Sequence, residues 1–111
     1  MLIPLALPML LALSAPKLTV PDCTGPDRYP ATMAFVSLKN AGLTDNEKTD
    51  FSKIAVTRLV SERISKRIHR QVHYIVLPQK NGSPLEVMTV SNASFDECSE
   101  GNLLVFLGRS L

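Results

Sequence analysis

The sequence predicts an α+β domain: one long helix packed on an antiparallel sheet of about four strands, in the order β-α-β-β-β and closed by one disulfide. Three observations predict it. The stretch from Thr44 to Arg70 combines helical apolar spacing with an acidic start and a basic end. Three apolar, strand-like runs follow it without a second helical pattern. The chain has 111 residues, 45% hydrophobic, and two cysteines, which leaves room for a single core and one cross-link.

Residues 1–14 read as a signal peptide. The apolar run from Met1 to Ala15 falls short of the roughly 20 residues a bilayer span needs. Ala12-Leu13-Ser14 offers small residues for cleavage after Ser14, although no Lys or Arg precedes the run and Pro4 and Pro8 interrupt it. Residues 15–30, with Pro16, Pro21, Gly25, Pro26 and Pro30, read as an extended lead-in pinned by Cys23. The α+β domain then takes residues 31–111. Its first strand is expected over Thr32–Leu38, with Met33 and Phe35 on one face and Ala34, Val36 and Leu38 on the other; a short helix competes there because both faces are apolar.

The long helix is expected from Thr44 to Arg70. Thr44-Asp45-Asn46-Glu47 fits a capping box, and Asp45, Glu47 and Asp50 suit the positive end of a helix dipole. Phe51, Ile54, Ala55 and Leu59 share one side of its first half, whereas Val56, Val60, Ile64 and Ile68 recur every four residues in the second. That drifting stripe fits a curved helix, or two helices broken near Thr57.

Three strands are expected next. Gln71–Leu77 is β-branched and aromatic and stops at Pro78. Asn81-Gly82, between Pro78 and Pro84, signals a turn into Leu85–Val90, and Asn102–Leu107 supplies a last strand, apolar on both faces. The element order resembles the cystatin-like architecture, a helix wrapped by an antiparallel sheet. The resemblance covers element order alone: Gln71-Val72-His73-Tyr74 lacks the glycine of the glutamine-valine-glycine hairpin by which cystatins block cysteine proteases, so it implies no such activity.

Cys23 and Cys98, an even pair without C-x-x-C spacing, are expected to form a disulfide in an oxidising compartment, which places the protein in the periplasm or outside the cell. Closing so long a loop stabilises by about 4 kcal/mol in the chain-entropy model. The net charge of +2 is too small to drive whole-molecule binding to nucleic acid or membrane, and the absence of Trp argues against a stacking platform. The one dense cluster of charge is Arg63, Lys66, Arg67 and Arg70 with His69 among them, either a solvated helix end or a docking surface for a partner. His69 and His73, four apart, would share a helix face, the basis for an alternative as a small hydrolase or metal-dependent enzyme. No third ligand stands near them, and no nucleophile elbow or phosphate loop occurs. Asp96, Glu97 and Glu100 around Cys98 read as solvated loop charge, and Asn92-Ala93-Ser94 matches a glycosylation acceptor. The expectation is a small exported binding protein of the inhibitor or immunity type, acting on a protein partner by binding rather than catalysis. It calls for no cofactor, metal or nucleic acid, and meets the membrane only through its signal segment. A second alternative is a binder of nucleic acid or an anionic surface through the basic cluster.

Overall fold

The computed structural model describes residues 20–108. The expected signal peptide, residues 1–14, lies outside them. The elements are helix α1 (Tyr29–Asn40), a 3-10 turn (Phe51–Lys53), and strands β1 (Ala55–Arg63), β2 (His69–Leu77), β3 (Leu85–Ala93) and β4 (Leu104–Leu107). The strands pair antiparallel in the order β1-β2-β3-β4, a simple meander. Among the described residues no helix is long and apolar enough to cross a membrane.

Helix, sheet and disulfide are therefore present, but the order is α-β-β-β-β, and two expected elements exchange character. The segment Thr32–Leu38 lies inside α1 rather than in a strand. Its buried residues Ala31, Ala34, Phe35 and Leu38 fall at i, i+3, i+4 and i+7, one stripe of a helix. Pro30 sits in the first turn, where a missing N–H costs nothing. The helix closes with paired backbone bonds, Gly42 N to Lys39 O (3.0 Å) and Leu43 N to Leu38 O (2.9 Å). That Schellman geometry needs the positive φ of +80° that Gly42 adopts.

The long helix expected from Thr44 to Arg70 is instead a loop, the 3-10 turn, and β1 running into the β1–β2 hairpin. Thr44 makes no capping box. Its hydroxyl donates to Gln79 Oε1 (2.7 Å) and shares a 2.7 Å bond with Thr49 Oγ1, while Gln79 Nε2 donates to Thr49 Oγ1 (3.2 Å), tying the loop to the end of β2. Asp45 Oδ1 accepts from the amides of Glu47 (2.9 Å) and Lys48 (2.8 Å) in a local turn. β-Branched Val56, Thr57 and Val60 favour the extended chain that follows. A β-bulge between Arg58 and Val60 breaks the two-residue alternation, so Val56 and Arg58 face α1 before it, and Ser61 and Arg63 face that side after it. The four-residue recurrence that imitates a helix is therefore no single stripe: Val56 faces inward, Val60 beyond the bulge faces outward, and Ile64 and Ile68 flank the hairpin turn.

One sheet face, the inner face, is built from alternate residues of β2 and β3. Ile75, Leu77, Leu85 and Val87 pack against Ala31, Ala34, Phe35, Leu38 and Ile54 as the apolar core. Phe35 meets Phe51 edge to face at 4.8 Å. Farther along the same face the buried residues turn polar: His73 beside Thr89, Gln71 beside Ser91, His69 beside Ala93. The chain around Pro21 crosses this part, its carbonyl accepting from Gln71 Nε2 (3.0 Å) and Arg58 Nη1 (3.4 Å). The Cys23–Cys98 disulfide, with Cα atoms 5.8 Å apart, fastens that crossing to the β3–β4 loop.

Among the described residues the outer face carries no helix. Across it run a row of Val60, Val72, Val90 and Leu104 and a row of Thr57, Tyr74, Met88 and Phe106.

Candidate functional site

Antiparallel pairing brings the β1–β2 hairpin and the β3–β4 loop to one end of the sheet. The hairpin turn is closed by Ile64 N to Ile68 O (2.9 Å) and by Ile68 N to Ser65 Oγ (3.3 Å). The facing loop is organised by buried Ser94. Its hydroxyl donates to Glu100 Oε2 (2.6 Å) and accepts from the amides of Asp96 (3.1 Å) and Glu97 (3.2 Å). Arg67 Nη2 joins the two loops by a 3.3 Å ion pair with Asp96, exposed enough to be worth less than about 1 kcal/mol.

Between the loops lies a small cavity of about 150 Å³, lined by Lys66, Arg67, His69, Ser94, Phe95 and Asp96. Phe95 stands edge-on to His69 with ring centroids 6.0 Å apart, yet is 65% exposed. His69 is buried, and its Nδ1 has no protein partner among the described residues. The larger cleft beside α1, lined by Phe35, Phe51 and Ile54 with Asp27 at its edge, brings no comparable set of polar groups together.

The basic cluster expected from the sequence is on this hairpin, not at a helix end, and the structure divides it. Arg63 folds over the turn, donating to Ser65 O (3.2 Å) and Lys66 O (3.4 Å). Arg67 bridges to Asp96, while exposed Lys66 has no ion-pair partner among the described residues. Arg70 pairs with Glu62 in the β1–β2 register and so belongs to the outer face. His69 turns inward as a wall of the cavity.

His69 and His73 both face inward, but on a strand four residues span about 13 Å, too far for both to hold one ion. His73 is fully buried, and both its ring nitrogens lack a protein partner among the described residues. Burial, reinforced by the Arg58 cation and opposed by Asp22, lowers its pKa from 6.5 to about 4, so it is neutral at physiological pH. Asp22 is held below the ordinary aspartate value, first by the Thr24 hydroxyl (2.6 Å) and then by the Thr24 amide (3.1 Å), with Arg28 and Arg58 adding to the effect. Among the described residues no group of three or more His, Cys, Asp or Glu could hold a metal ion.

Phe95 and Ser94 are the site residues that sequence reasoning missed. An aromatic in a polar loop was the one available signal, and nothing in the sequence tells that the loop meets the hairpin. Comparison with protein-family models, curated proteins and solved structures finds no match to this chain.

Proposed function

We propose that this is a small exported binding protein that caps a protein partner in the cell envelope, as an inhibitor or immunity protein does, and that it grips the partner with the loop end of the sheet. The observation that carries this reading is Phe95, an aromatic side chain held 65% exposed in a loop that a disulfide and the Ser94 hydrogen bonds hold in place. An exposed aromatic on a pre-ordered loop, rimmed by Lys66 and Arg67, has the make-up of an interface hot spot, because little ordering entropy remains to be lost on binding. Half-exposed Ile64 on the neighbouring hairpin extends the apolar centre. Export is supported by the disulfide, since such bonds persist in oxidising compartments.

The test is capture from an envelope extract on immobilised protein, alongside a Phe95→Asp/Lys66→Glu variant whose fold is checked by circular dichroism. The wild type should retain a protein that the variant does not, and calorimetry on the identified partner should place most of the lost affinity on Phe95. Retention of nothing by the wild type, or equal retention by both, overturns the reading.

A further inference from the structure

The β2–β3 connection, residues 78–84, is tethered at its start and free at its tip. Thr49 bridges to Gln79, and Lys80 N donates to Lys48 O (2.7 Å). Beyond Lys80, no hydrogen bond holds Asn81, Gly82 or Ser83 among the described residues, and all three are exposed. Gly82 takes a φ of +135°, a conformation that a residue with a Cβ rarely adopts. The tip therefore differs from a two-residue hairpin turn, in which ladder bonds on either side fix the backbone. Lys48, Lys80, Asp45 and Glu47 line the groove beside it, so the surroundings are wet and carry charges of both signs.

We infer that Asn81 is a site of spontaneous covalent modification, its side-chain amide being lost to the backbone nitrogen of Gly82. That nitrogen, after giving its proton to water, attacks Asn81 Cγ. The new C–N bond closes a five-membered succinimide, the bond from Cγ to the amide nitrogen breaks, and ammonia leaves. Water then opens the ring at one carbonyl or the other, leaving aspartate or isoaspartate at position 81. Water in and ammonia out balance the reaction, with no oxidant or reductant. Closure needs the Gly82 nitrogen to swing onto the side chain, which an unbonded backbone without a following Cβ permits. The other asparagines lack this combination. Asn40 ends α1 before Ala41, Asn46 Oδ1 accepts from Lys39 Nζ (2.7 Å), Asn92 lies in β3 paired with Arg70, and exposed Asn102 precedes Leu103. Because the tip packs against nothing, the extra backbone methylene of isoaspartate leaves the fold unaltered, while the formal charge of +2 drops by one.

Incubation of the folded, oxidised chain at neutral pH tests the inference, with peptide mass spectrometry locating amide loss and enzymatic isoaspartate methylation detecting the rearranged product. A synthetic peptide covering residues 78–85 serves as the unfolded reference. Asn81 in the folded chain should lose its amide within about threefold of the peptide rate, as expected of a tip that opens at almost no cost. It should react at least about tenfold faster than each of the other four asparagines, and Gly82→Ala should slow it at least about tenfold. Asn81→Gln should abolish the more acidic species on ion exchange, and circular dichroism should show the same fold before and after conversion. Slower loss in the folded chain than that threefold margin, loss no faster than at Asn102, or a Gly82→Ala chain that reacts at the wild-type rate overturns the inference.

Discussion

Acidification should weaken this fold through one side chain, His73, over a pH window that its carboxylates leave alone. In the unfolded chain His73 takes up its proton near pH 6.5, and in the folded chain only near 4. Between those values the unfolded state holds more protons, so stability is complete above about pH 6.5 and falls as the pH drops towards 4. The slope approaches 1.36 kcal/mol per pH unit, and the loss accumulated by pH 4 is about 3 kcal/mol, a large share of the 5–15 kcal/mol typical of a domain. Asp22, Asp45 and Asp50 have folded pKa values below 3.8, so their stabilisation is present above that value and disappears only at lower pH. The two windows do not overlap. Urea unfolding at pH 7, 5.5 and 4.3 should show the midpoint dropping in the wild type and dropping much less in His73→Gln, whatever that variant's stability at pH 7. Equal pH dependence in the two proteins would refute the assignment, as would a His73 ring resonance that titrates near 6.5 in the folded state.

Removing the cross-link as Cys23→Ala/Cys98→Ala should lower stability by about 4 kcal/mol for a loop this long, read by urea unfolding at pH 7. Thiol labelling of the denatured, unreduced wild type should find no reactive cysteine. Gly42→Ala should cost about 1 kcal/mol, entirely from the left-handed backbone, because nothing lies within 4 Å of the added methyl. Ile75→Ala, at a fully buried position under α1, should cost about 2–5 kcal/mol by thermal or urea unfolding.

Sequence reading recovered β2, β3, β4, the connection through Asn81-Gly82 and the disulfide partners, because short β-branched or apolar runs, turn residues and an even cysteine count can be read without knowing the tertiary contacts. It misassigned the two segments where local signals conflict. In α1 the stripe of Ala31, Ala34, Phe35 and Leu38 was masked by Met33 and Val36, which fill the gaps and suggest a strand apolar on both faces. In β1 and the turn after it, Val56, Val60, Ile64 and Ile68 recur every four residues without sharing a face, and the bulge at Leu59 hides the strand's own alternation. The charges of Arg63, Lys66 and Arg67 were visible, but their neighbours were not. Phe95 and Asp96 reach them across the sheet's end, about thirty positions away in the chain, through a register that no single segment encodes.

The bulge in β1 has a bearing on solubility. β1 is a margin of the sheet nine residues long, and an unbroken margin of that length invites strands from other molecules. The irregularity at Leu59 limits regular ladder to the four residues Ala55–Arg58 before the register slips, and Arg58, Glu62 and Arg63 add charge along it. At the opposite margin β4 offers only four residues, Leu104–Leu107. Neither side offers a long regular ladder to strands of other molecules, which guards a molecule with so much hydrocarbon on one broad surface against edge-to-edge polymerisation.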